Sequence, residues 1–158
     1  MNRRSFTKNT FLAGLGIANS QSIGLNNTPE AYKYNLKYAP HLGMFRNLAS
    51  NDPIDQLNYI ADIGFKAFED NGMRNRNKTL QLKMASTMEK RDIEMGVFVA
   101  HKIYWKKPNL ASGDLNLKDE FLNYIKNSIE VAKRVNAKWM TVVPGHVDLK
   151  QNFSYQTA

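Results

Sequence analysis

Three histidines occur in the chain, His41, His101 and His146. Each lies just beyond a short apolar or mixed segment, and Glu69 closes another, Phe65-Lys66-Ala67-Phe68. Imidazole can bind a metal, exchange a proton or hydrogen-bond a hydroxylated substrate. A carboxylate such as that of Glu69 can hold a substrate hydroxyl or a cation. Glu69, His101 and His146 form the expected substrate-binding set, and His41 ranks behind them. The competing reading makes all four loop residues satisfied by local backbone. The residues assign no catalytic group and no metal ligand. Tyr104-Trp105-Lys106-Lys107 forms an aromatic, basic stretch that could cover a sugar or an acid, or could simply pack on itself.

Other chemistries are excluded. The chain has no cysteine, which removes disulfides, thiolate metal sites and a thiol nucleophile. It has no His-Glu-x-x-His zinc helix and no Gly-x-Ser-x-Gly elbow. Gly14-Leu15-Gly16 follows no strand, so it is not a phosphate loop.

Alternating elements must position the four candidates. Asn35–Pro40 reads as a first strand leading to His41. Asp52-Pro53 starts a helix, with Asp as cap and Pro in the first turn. Ile54, Leu57, Ile60 and Ala61 then share a face, and Gly64 ends it. Phe65–Glu69 is a second strand, and Asp70-Asn71-Gly72 a polar loop. Leu80, Met84 and Met88 mark a second helix, in which the methionines are core packing. Met95–Ala100 is a third strand, followed by a long loop from Lys102 to Asn116. Phe121, Ile125, Ile129, Ala132 and Val135 mark a third helix, and Trp139–Val143 a fourth strand.

The order predicts an α/β fold, the front half of a (β/α)8 TIM barrel, with about four parallel strands and three intervening helices. A whole barrel takes ~250 residues, and the 158 residues here end in a polar stretch, Asp148–Ala158, where a fourth helix should begin. In such sheets ligands meet the carboxyl ends of the strands, where Glu69 and the histidines fall.

Two domains are expected: an export signal over residues 1–28 and the partial barrel over residues 35–158. The first 28 residues contain no Asp or Glu, and Arg3-Arg4-Ser5-Phe6-Thr7-Lys8 precedes the mildly apolar Phe11–Ala18. That start resembles a twin-arginine export signal and implies a periplasmic protein. Arg3, Arg4 and Lys8 supply three of the formal +8 charges. The other basic residues are scattered, with local groupings such as Arg74/Arg76/Lys78, and read mostly as a solvated face. They accompany no groove-reading motif, so no nucleic-acid partner is expected. No apolar run reaches 18 residues, so no membrane span is expected either.

His41-Leu42-Gly43-Met44-Phe45, the helix Gln56–Gly64 and Phe65-Lys66-Ala67-Phe68-Glu69 resemble the xylose-isomerase-like barrels, the sugar phosphate isomerase/epimerase family, and hydroxypyruvate isomerase in particular. Ala132–Trp139 leading into Val142-Val143-Pro144-Gly145 carries the same resemblance, which spans Asn35 to Gly145. It implies isomerisation or epimerisation of a small sugar or hydroxy-acid by proton transfer next to a carbonyl. In the full-length family it also implies a divalent metal and two glutamates from later strands. Neither can be assigned to residues here, and the truncated chain is expected to be inactive. The alternatives are a zinc-dependent abasic-site endonuclease-like phosphodiesterase, using His101 and His146, and a non-catalytic carbohydrate-binding half-barrel. A half-barrel would leave unpaired sheet edges, so a homo-oligomer is a further expectation.

Overall fold

The computed structural model describes residues 31–156. The expected export signal lies outside them. Helix α1 runs from Pro53 to Asp62. The Asp52 side chain accepts from the Ile54 N–H, and Pro53 opens the first turn, where its missing N–H costs no bond. The chain leaves α1 through Gly64 at φ +97°. A Cβ there would overlap the Tyr32 carbonyl, so only glycine fits.

Helix α2, Lys78–Arg91, is capped by Asn77, whose side chain accepts from the Leu80 N–H. It ends at Asp92 in the left-handed region, with Lys90 and Arg91 in its last turn. Helix α3, Leu115–Val135, is capped by Asp114 and ends at Asn136, again left-handed. It starts inside the stretch expected to be loop, because the Asp114 cap recruits Leu115 and Asn116 into a first turn ahead of the apolar periodicity. A one-turn helix, α4, covers Phe153–Gln156. Among the described residues no helix is long and apolar enough to cross a membrane.

The strands depart from expectation. Among the described residues only β1, Ala67–Phe68, and β2, Glu94–Met95, form a ladder, parallel and two residues long. Asn35–Pro40 and Trp139–Val143 are not strands; near them are single parallel bridges, His41↔Glu69 and Val99↔Thr141. The protein is therefore a small helix-rich fold around two short parallel strands. It is not a four-stranded front half of a TIM barrel.

Competing hydrogen bonds account for the difference. Residues 31–39 are exposed throughout, and Pro40 has no N–H to donate. At the other edge, Thr141 exchanges bonds with Phe98 and Ala100. The ladder goes no further, because the Val143 N–H bonds the His101 ring and the Ala100 carbonyl accepts the Ser128 hydroxyl at 2.6 Å. Side chains have replaced the next rung on both sides.

The core lies between the helices and one face of the short sheet. Phe68 and Met95 are register partners and both join the apolar cluster with Leu57, Ile60, Met84, Met88, Phe98 and Val131. Met84 and Met88 are core residues, as their spacing implied. Side chains alternate along a strand, so Ala67 and Glu69 turn to the opposite face.

Candidate functional site

Glu69 follows β1 directly and is half-buried. Its backbone is held on one side, with Glu69 N–H to the Pro40 carbonyl at 3.0 Å and Leu42 N–H to the Glu69 carbonyl at 2.8 Å. The Glu69 carboxylate itself has no hydrogen bond or ion pair among the described residues. Gly96 lies on the same face, and a Cβ there would stand 3.7 Å from Glu69 Cβ and 3.6 Å from Ala39 Cβ. A small residue, Gly96, thus stands next to the base of the Glu69 side chain.

His41 is the register partner of Glu69. Paired residues on neighbouring parallel segments share a face and sit about 4.8 Å apart. His41 Nδ1 lies 2.7 Å from the Leu42 carbonyl. A carbonyl can only accept, so Nδ1 carries the proton and the neutral ring presents a lone pair at Nε2. Nε2 has no partner among the described residues. The structure therefore joins Glu69 to the histidine that ranked lowest in the sequence.

His101 is 2% exposed. Its Nε2 accepts from the Val143 N–H at 2.8 Å, and its Nδ1 donates to the Lys102 carbonyl at 2.9 Å. The ring tilts against Phe121 of α3, with centroids 4.8 Å apart. Both nitrogens are engaged, and the side chain ties the third and fourth apolar segments to α3. His146 is half-buried, bridges Pro108, and donates from Nδ1 to the Val147 carbonyl. No hydrogen bond or ion pair joins His101 or His146 to Glu69.

The aromatic, basic loop is partly ordered by charge. Lys102 Nζ donates to the Tyr104 hydroxyl at 2.9 Å, and Tyr104 donates to Glu120 Oε2 at 2.6 Å. The Tyr104 bond, reinforced by the Glu120 charge, holds the Lys102 ammonium above its ordinary pKa. Trp105 is largely exposed.

One charged arrangement had no sequence signal. Asp70 is 3% exposed. Its Oδ1 accepts from the Gly72 N–H at 3.0 Å, and its Oδ2 from Arg76 Nε at 2.5 Å. The basic grouping read as a solvated face is thus partly buried. Arg76 pairs with Asp70, and Arg74 lies over the Tyr124 ring at 4.5 Å, its Nε buried without a hydrogen bond. Spacing could not show this, since the Asp70–Arg76 pair spans a turn rather than a helical repeat.

Among the described residues no three His, Asp or Glu side chains converge to hold a metal ion. His41 and Glu69 offer two donors, short of the three or four protein ligands of a zinc site. The described residues therefore assign no ligand set to the divalent metal that the resemblance implies for the full-length family. No family model and no curated protein matches the chain.

Proposed function

We propose that the chain binds a small sugar or hydroxy-acid beside Glu69 and, with Glu69 and His41 standing in for the two later glutamates whose absence led to the expectation of inactivity, moves a proton next to its carbonyl, as an isomerase or epimerase of the hydroxypyruvate isomerase kind. The twin-arginine-like start of the sequence supports a periplasmic setting for this activity. The observation that carries the reading is the backbone register of Glu69, whose carboxylate has no partner among the described residues, with His41, whose Nε2 has none either, on a face shared with Gly96.

A carboxylate and an imidazole lone pair can each accept a proton, which suits a 2-hydroxy carbonyl compound. Glu69 takes the proton from the carbon next to the carbonyl, and the C–H electron pair forms the enediol double bond. His41 Nε2 takes the proton of the hydroxyl and returns it to the former carbonyl oxygen. Glu69 delivers its proton to the neighbouring carbon, so the carbonyl has moved by one position and both side chains are regenerated. The resemblance to the isomerase family supports this choice of chemistry. A zinc phosphodiesterase gains no support, because both His101 nitrogens are already bonded within the protein.

The test is solvent exchange. The protein is incubated with hydroxypyruvate in D2O, and deuterium entry next to the carbonyl is followed by proton NMR. Wild type should exceed the buffer blank. Glu69→Gln and His41→Gln should each lose roughly 100-fold or more, the usual contribution of a positioned acid or base. Binding without exchange identifies a non-catalytic ligand-binding domain and ends the enzymatic reading.

A further inference from the structure

A hollow of about 290 Å3 opens beside the first turn of α1, lined by Leu42, Gly43, Arg46, Asn51, Gln56 and Arg76. That volume sits near the lower bound of small-molecule sites, roughly 300–1,000 Å3. Its walls are fixed. The Gly43 N–H donates to Gln56 Oε1 at 2.6 Å, and the Leu42 N–H holds the Glu69 carbonyl. Gln56 is itself buried.

The two arginines differ in how they are held. Arg76 is set in place from behind: the buried Asp70 carboxylate takes its Nε, and the Gln81 amide donates to its carbonyl at 2.9 Å. Both terminal nitrogens of Arg76 remain without a partner among the described residues. Arg46 is exposed, and its guanidinium has no hydrogen bond or ion pair among the described residues. The acids at the start of α1 are engaged locally. Asp52 caps α1, and Asp55 accepts the Ser50 hydroxyl at 2.7 Å. Asp70 balances the Arg76 charge, so the hollow holds the two open terminal nitrogens of Arg76 and one guanidinium charge, that of Arg46, with no ion-pair partner among the described residues.

We propose that this hollow is an oxyanion site, in which Arg46 and Arg76 grip the phosphate or carboxylate end of a small metabolite. Guanidinium forks match both groups by paired hydrogen bonds. Arg76 is the positioned half of the clamp, and the exposed Arg46, which no bond among the described residues holds, is the half that reaches the ligand from solvent. The Asn51 amide, also without a hydrogen bond among the described residues, supplies a further donor. The site begins one residue beyond the His41–Glu69 pair but does not depend on chemistry there.

Isothermal titration of the full chain with inorganic phosphate, glycerol 3-phosphate and glycerate tests the site and separates the two anions. Saturable binding of at least one is expected. Arg46→Gln should weaken it roughly 10- to 100-fold, the range for losing charge-assisted hydrogen bonds, and Arg46→Lys should weaken it less. Arg46 is exposed, so these variants should keep the wild-type melting temperature, and a lost signal reports binding rather than folding. Glu69→Gln should leave inorganic phosphate binding unchanged, which separates this site from the isomerase reading. Tighter binding of the phosphates names a phosphorylated ligand, and tighter binding of glycerate a free acid. No saturable binding to wild type overturns the proposal, as does binding that Arg46→Gln leaves intact.

Discussion

Replacing His101 by leucine should damage the fold rather than a ligand site. The substitution leaves the Val143 N–H without its acceptor, and an orphaned, part-buried N–H costs about 1–3 kcal/mol. It also removes the bond to the Lys102 carbonyl and the edge of the aromatic pair with Phe121, the latter worth roughly 0.5–1.5 kcal/mol. Leucine recovers part of the lost apolar burial. A net loss of about 2–4 kcal/mol follows, a large share of the roughly 5–15 kcal/mol of an ordinary domain. Urea unfolding at pH 7 should show a lower midpoint with an unchanged slope. Hydrogen exchange should show the Val143 amide losing protection. His101→Gln, which can still accept from Val143, should recover part of the loss. Trp105→Ala, four residues along and mostly exposed, should stay within about 0.5 kcal/mol of wild type. If His101→Leu also stays within about 0.5 kcal/mol while ligand binding disappears, the ring is a binding group, and the hydrogen-bond reasoning fails.

Asp70→Asn should cost roughly 2–4 kcal/mol in urea unfolding, because the buried carboxylate holds both Arg76 and the Gly72 N–H, and removing one member of a buried pair strands the other. Gly145→Ala should cost about 1–3 kcal/mol by the same measurement, since Gly145 has φ +105° and a Cβ would overlap the buried Asn109 Oδ1. Lys37 donates to Glu94 and pulls the Glu94 carboxyl below its ordinary pKa. The folded value is the depressed one, so any stability from this pair is present above the unfolded pKa and fades as pH falls through the folded one. In Lys37→Met, NMR titration should place Glu94 at higher pH, while added salt should narrow the difference in wild type because the pair is exposed.

The helices were legible because helix signals are local. Asp52-Pro53 caps and opens α1, Gly64 closes it, and the Met84/Met88 spacing marks a buried face; each signal lies within a few residues of the bond it makes. The α3 start was missed by a few residues for the same reason, since Asp114 is a cap as short-range as Asp52 but stands ahead of the apolar pattern. Strand length was not legible. Apolar runs such as Met95–Ala100 show that a segment is buried, but not which groups take its hydrogen bonds. Here Ser128 and His101 take them, from partners 28 and 42 positions away.

The candidate site divides along the same line. The residues alone determined that Glu69 and three histidines stand just beyond short segments, and that no thiol or known nucleophile motif competes with them. Only the tertiary structure decided that His101 is consumed by Val143 and Lys102, that His41 is the register partner of Glu69, and that Asp70 turns Arg76 toward the hollow shared with Arg46. Residue type sets what a side chain can bond. Its availability depends on which distant donors and acceptors reach it first, and that is settled only when the segments pack.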